Sequence, residues 1–346
     1  MDRLRAAFVL LHEHAPRHKP YNFWCFEGAV VKPIKVTNVG FSRTPSGGSY
    51  HCDVSGLAGL SHLTHDVRSS TGHPRPATSA AWVAIGLLLP AMRTGRCLEI
   101  EGKLPGLLLH LLRSDIQALL HNFDPGLKRI LIECDITDEP PQAAGPELRI
   151  ATGFSAGVDS FAALKWFETT GAQNALKVTD LFTFDVGAFN TDLEGQTRAA
   201  ASLFNGAADR ASSFATATDR HYHIVHSNIV DAYRVDKNYE FIRTHTMRNA
   251  SAAALFEHEI DTYLYASGYD YSDMNLRRSS AIANIDAILL PMISPGRLRM
   301  ISANAGEARI EKTIKIASDP VVRSILDVCA QRAKERARSL GATKNC

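Results

Sequence analysis

From residue 148 onward the chain repeats one pattern, a short and nearly continuous apolar run followed by a longer segment with apolar positions three and four apart. The runs at 148–154, 178–185, 221–225 and 262–266 predict strands, and the segments at 160–169, 192–204 and 245–259 predict helices. Strands apolar at almost every position are covered on both faces. The alternation therefore predicts an α/β fold with a parallel sheet flanked by helices, and ligands bound at the carboxyl ends of its strands. Nearer the start, helices are predicted at 3–13, 79–93 and 107–122, and strands at 29–36, 49–54 and 129–134. Residues 138–147, rich in Pro, Gly and Ala, break every periodicity and predict a boundary between an N-terminal α+β domain (1–140) and a second domain (147–346). No internal repeat or low-complexity segment is visible, and the basic run at 331–344 reads as a solvated helix face.

A chain of 346 residues with 45% hydrophobic content and 21% charge can bury a substantial core and is long enough for two domains. Its formal net charge of +2 gives no strong nucleic-acid signal and suits a small anionic ligand. The longest apolar run, Ala80 to Met92, is interrupted by Pro90 and is too short for a bilayer, and the residues after Met1 lack a signal-peptide core. A cytoplasmic protein with no membrane partner is expected. Six cysteines spread over this length make no disulfide framework, so each is a buried thiol, a metal ligand or a nucleophile candidate.

The candidate chemistry centres on Phe154-Ser155-Ala156-Gly157-Val158-Asp159-Ser160, where a predicted strand turns abruptly into a predicted helix. Two hydroxyls, one carboxylate and a row of backbone N–H groups at a helix N-terminus suit a pyrophosphate, because unpaired amides and the helix dipole both favour a polyanion. The stretch lacks the Gly-Lys-Ser/Thr ending of a Walker loop, so the lysine-and-magnesium reading of that motif does not apply. The plain alternative is a turn capped by Ser155 and Asp159.

The stretch resembles the Ser-Gly-Gly-x-Asp-Ser loop of the N-type ATP pyrophosphatases. Within that superfamily, Phe184-Asp185-Val186-Gly187, Arg248-Asn249 and the run from Tyr265 through Gly268 to Asp273 are similar, in order and spacing, to segments of the 7-cyano-7-deazaguanine synthases. Lys312 matches a lysine that the synthases carry on a late helix near the phosphates. Cys329 and Cys346 fall where they carry a zinc site, although two cysteines are half of a tetrahedral set. The resemblance implies an adenine nucleotide alpha hydrolase-like fold. It also implies ATP and Mg2+ use, with Ser155, Ala156, Gly157, Val158, Ser160, Phe184, Asp185 and Gly187 around the nucleotide. Asp159, Arg248 and Lys312 are then expected in catalysis, Asn249, Gly268 and Asp273 around the substrate, and Zn2+ on Cys329 and Cys346. Read singly, Arg248 also fits a surface ion pair, Asp185 a turn residue and Lys312 a solvated helix lysine.

The implied reaction activates a carboxylate, probed here as 7-carboxy-7-deazaguanine, by adenylation with release of pyrophosphate, and passes it to ammonia or an amine to give an amide, which a second activation converts to a nitrile. Relatives with added domains occur in bacterial antiviral systems, so a protein amine is an alternative acceptor, recognised by the N-terminal domain. A homodimer is compatible with this reading. The chain departs from the pattern at Ala156, which replaces the second loop glycine, at Ala188, and over Met274–Arg278. Two other readings stand beside it. One is a sulfur-inserting enzyme of the same fold using Cys25, Cys52, Cys97 or Cys134, and the other is a component that binds a nucleotide without turnover. The spacing of His62 with His65 and of His221 with His223 is ligand-like but completes no metal set.

Overall fold

The computed structural model describes residues 32–137, 148–169, 177–188, 197–234 and 240–327. The predicted helix at 3–13, the predicted break at 138–147, Cys25, Cys329, Cys346 and the basic run at 331–344 lie outside the described residues. The first half contains β1 (Ile34–Thr44), β2 (Gly47–Ser55), β3 (His62–Ser69), α1 (Ala81–Thr94), β4 (Leu98–Pro105), α2 (Gly106–Arg113), α3 (Asp115–Phe123) and β5 (Ile132–Thr137). The second contains β6 (Ile150–Gly153), α4 (Val158–Thr169), β7 (Asp180–Asp185), α5 (Thr197–Ala217), β8 (His221–Ser227), α6 (His245–Ala254), β9 (Thr262–Ala266), α7 (Asp286–Met292), β10 (Arg299–Ala303), α8 (Arg309–Ala317) and α9 (Pro320–Ile325).

The ten strands form one sheet in the order β10-β9-β6-β7-β8-β3-β2-β1-β4-β5. Six of its nine pairings are parallel, so the expected α/β class with a mostly parallel, helix-flanked sheet is observed. The strands on either side of residues 138–147 share this sheet, joined where β3 pairs antiparallel with β8, His65 opposite Ser227 and Ser69 opposite His223.

Apolar patterning explains the cover. In β7 and β9 successive side chains point to opposite faces. Leu181 and Leu264 pack with Phe161 of α4, Phe214 of α5 and Ile316 of α8, whereas Phe182 and Tyr263 pack with α1, α6 and α7. The β2 strand alternates instead. Its Tyr50, Cys52 and Val54 are buried while Ser49, His51 and Asp53 are half-exposed, the signature of an antiparallel strand covered on one face. Helix α1 is apolar all round and buried from Ala81 to Met92, so it is a core helix. Among the described residues no helix is long and apolar enough to cross a membrane.

Three differences from the predicted elements have local causes. The helix predicted at 107–122 is split at Ser114, whose backbone leaves the helical region and whose hydroxyl donates back to the His110 carbonyl (2.7 Å). The helix predicted to end at 204 runs on to Ala217, because Ala207, Ala208, Ala211, Phe214 and Ala215 continue the buried stripe past Gly206. Strands β3, β4 and β10 were not predicted. The outward positions of β3 and β4 carry His62, Asp66, Arg68, Glu99 and Glu101, which hides a period-two pattern in a short segment, and β10 is five residues long and opens on the exposed Arg299.

A buried ionic network ties down the amino ends of the strands. Asp180 and His223 are fully buried, with His223 Nε2 2.7 Å from Asp180 Oδ1, and Arg149 pairs with the same carboxylate and with Glu259 (3.5 Å). Burial pushes the Asp180 carboxyl up, but the hydrogen bonds from His223 and Arg149 outweigh it and hold the group well below the usual carboxylate range. A depressed native pKa gives stability that is present above about pH 4 and is lost as the pH falls below it. Asp180→Ala leaves His223 and Arg149 buried without their partner, and a loss of about 3–5 kcal/mol is expected in urea unfolding. Asp180→Asn should flatten the acid limb of the stability profile, and an unchanged limb would refute this assignment.

Candidate functional site

Strand β6 lies between β7 and β9, so the chain leaves its carboxyl end at a reversal of strand order, the place where open α/β sheets generally bind ligands. Phe154 extends the ladder by one bond to the Phe182 carbonyl (2.7 Å) and anchors the turn through stacking on Phe214 (4.8 Å) and an edge contact with Phe161 (5.1 Å). Ala156 then takes a left-handed conformation, φ +56°, with its methyl buried and its carbonyl accepting from Asp327 N–H (2.8 Å). That conformation is costly for a residue replacing glycine, by about 1 kcal/mol or more. A Cβ on Gly157 would come within 3.3 Å of Ser155 Oγ. Ser155 is exposed, whereas the Ser160 hydroxyl is buried and donates to the Gly157 carbonyl (2.9 Å), so it shapes the turn from within. Val158 is a core side chain.

Around this turn gather Asp159, Gly268, Lys312 and, unforeseen in the sequence reading, Arg309 and Ser267. Asp159 Oδ1 is buried with no hydrogen-bond partner, and its Oδ2 lies 3.6 Å from Arg309 Nη2. Burial raises the Asp159 pKa, while Arg309 and Lys312 draw it back. Gly268, just past β9, lies against Asp159, since a Cβ there would be 3.8 Å from Oδ2. Lys312 is only 1% exposed, unlike a solvated helix lysine, and its ammonium donates to the Ser267 carbonyl (2.8 Å). Burial lowers its pKa against the opposing pull of Asp159, Glu307 and Asp270. Arg309, one helical turn before Lys312, was visible in the sequence as an i, i+3 neighbour.

A second group forms at the ends of β7 and β9. Gly187 has φ +105°, and a Cβ there would fall 2.6 Å from Arg248 Nη1, so only glycine fits. Arg248 is 3% exposed, which removes the surface ion-pair reading. It donates to the Val186 carbonyl (3.3 Å) and stacks on Tyr233 (4.3 Å), whose hydroxyl donates to the Gly86 carbonyl of α1 (2.8 Å). The Asn249 amide donates to Tyr265 Oη (3.3 Å), which lies 2.6 Å from His245 Nδ1. Thr246 Oγ1 donates to Asp286 Oδ1 (2.7 Å), and Asp286 Oδ2 is buried without a partner.

The remaining expected residues are placed as follows. Phe184 is a core side chain stacked on Phe182 (5.2 Å). Asp185 ends β7, half-exposed, 3.4 Å from His226 Nδ1. Asp273 closes a 3-10 turn and its carboxylate accepts the Asp270 N–H (3.3 Å). Among the described residues no group of three or more His, Cys, Asp or Glu could hold a metal ion. His65 packs edge-on against Trp82 (5.3 Å), His223 is bound to Asp180 and His62 to Asp53, so these histidines have separate neighbours.

No family model matches the chain, and no curated protein or solved structure matches it significantly.

Two outcomes follow from this geometry. In Ala156→Gly, relief of a left-handed backbone worth about 1–2 kcal/mol offsets the lost methyl burial of about 0.8 kcal/mol. Urea unfolding should show no net loss, and a loss above about 1 kcal/mol would contradict the left-handed assignment. Burial raises the Asp286 carboxyl to about 7 against the Thr246 hydrogen bond. A raised native pKa means full stability below the unfolded value of about 4 and a loss as the pH rises towards 7, of order 4 kcal/mol for three pKa units. Asp286→Asn should remove that slope in thermal melts from pH 4 to 8.

Proposed function

We propose that the chain is an ATP-dependent, carboxylate-activating enzyme of the N-type ATP pyrophosphatase kind, similar to the 7-cyano-7-deazaguanine synthases. The observation that carries this reading is the convergence of the 155–160 turn, Asp159, Gly268, Arg309 and Lys312 at the carboxyl end of β6. Backbone N–H groups at the start of α4 and the Ser155 hydroxyl grip the β- and γ-phosphates. Lys312 and Arg309 offset the charge that builds on departing pyrophosphate, and burial strengthens the contribution of Lys312. The orphaned Oδ1 of Asp159 fits a hard cation, and Mg2+ held there would supply further charge neutralisation.

In this reading a substrate carboxylate oxygen attacks the α-phosphorus, the α–β P–O bond breaks and pyrophosphate leaves. Ammonia or an amine then attacks the acyl carbon, a C–N bond forms, a proton is lost and AMP leaves. The sulfur-inserting alternative draws less support. Cys52 is fully buried with its thiol pushed up to about 12, and burial pushes Cys134 to about 11, so neither is a ready nucleophile. Binding without turnover remains the contrasting reading, and the strained backbone at Ala156 favours it.

Incubation with ATP, Mg2+, 7-carboxy-7-deazaguanine and ammonium should release AMP and pyrophosphate in equal amounts. Asp159→Asn should lower kcat/KM by roughly a hundredfold. ATP binding without AMP release from any carboxylate tried would defeat the catalytic reading, and unchanged turnover in the variant would show that the loop is misplaced.

A further inference from the structure

The head of α6 carries a hydrogen-bond relay that ends on an imidazole. Tyr265 Oη receives the Asn249 amide (3.3 Å) and lies 2.6 Å from His245 Nδ1, a separation typical of an O–H donor. Thr246 Oγ1 is 3.4 Å from the same nitrogen, but its proton is directed to Asp286 Oδ1 at 2.7 Å. Tyr265 is then the donor to Nδ1, and the ring's own proton sits on Nε2. The charged and titratable groups facing this imidazole are Arg248 on its own helix, Asp286 at the head of α7 and Tyr265 on β9. Burial, with Arg248 adding repulsion, lowers the His245 pKa to about 4, so the ring is neutral at pH 7. His245 is half-buried. Its Nε2 makes no hydrogen bond to the described residues and, unlike Asp286 Oδ2, is not among the sealed polar atoms.

This N–H stands at the carboxyl edge of the sheet. His245 lies one helical turn before Arg248, which reaches the Val186 carbonyl beyond β7, and Tyr265 is the penultimate residue of β9, the neighbour of β6. An imidazolium here would hold a carboxylate's charge and blunt its attack. A neutral N–H orients one oxygen and leaves the other free to react. We propose that His245, held as its Nε2–H tautomer by the Asn249–Tyr265 relay, donates to one oxygen of the carboxylate that is activated, and so is a specificity-determining residue for the second substrate. The inference rests on the carboxylate-activating reading above. Asn249, expected to touch substrate, acts here through Tyr265 as a positioning residue.

Nitrogen NMR of the full-length protein labelled with 15N-histidine tests the relay without any ligand. The expected result is a neutral Nε2–H tautomer for His245 from about pH 5.5 to 8, with Tyr265→Phe replacing that single form by a mixture of the two neutral tautomers. An Nδ1–H tautomer, or protonation near 6.5 in the unmodified protein, would overturn the proposal. With 7-carboxy-7-deazaguanine as probe, His245→Leu should raise KM roughly tenfold with the ATP Kd unchanged, while His245→Gln, which keeps a donor at the same reach, stays within about threefold. An unchanged KM in His245→Leu also overturns it. An unmodified protein that fails to bind ATP would instead defeat the enzyme reading and leave the tautomer result standing.

Discussion

The placement of β6 between β7 and β9 is the constraint on which the rest depends. With parallel neighbours on both sides, the chain leaving β6 enters α4 against one face, while the chain between β8 and β9 covers the other through α6. The buried Lys312 and the Asp159 carboxylate gather at the turn after β6, and Arg248, Asn249, Tyr265 and His245 form a second group at the head of α6 and the ends of β7 and β9.

The first half of the chain contributes to this arrangement as structure. Its strands extend the sheet through the β3–β8 pairing, and α1 packs closely on α6, where Ser251 Oγ donates to the Trp82 carbonyl (2.7 Å) and a Cβ on Gly86 would lie 2.7 Å from Ser251 Oγ. Glu257, just after α6, accepts the Thr78 and Ser79 N–H groups (3.0 and 2.9 Å) and so satisfies donors ahead of α1. Tyr233, under the Arg248 guanidinium, hangs from the Gly86 carbonyl. The position of Arg248 is therefore set by α1 as much as by its own helix.

Much of this was legible from residue patterns, and the rest was hidden for physical reasons. Strand β9 was predicted with its observed ends, because its neighbours bury it on both faces and leave a continuous apolar run. The turn from β6 into α4 was legible from Ser155, Gly157 and Asp159, but the left-handed Ala156 was not, since only the packing of its methyl and the bond to Asp327 hold it there. Strands β3 and β4 were hidden by charges on their open face. The environment of Lys312 was hidden because burial of an ammonium depends on a carbonyl and carboxylates brought from two distant segments, at Asp159 and at Ser267–Asp270. Tyr233 and Asp286 carry no local pattern at all, and their roles arise from tertiary contacts with Gly86 and Thr246.

If the turn after β6 grips a pyrophosphate, affinity must reside in the β- and γ-phosphates more than in the adenosine. Calorimetric titration of ATP, ADP and AMP into the full-length protein with Mg2+ measures this directly. The account predicts ATP binding at least tenfold tighter than AMP, with affinity falling as salt is raised. Equal affinity for ATP and AMP, or no dependence on the terminal phosphates, would contradict it.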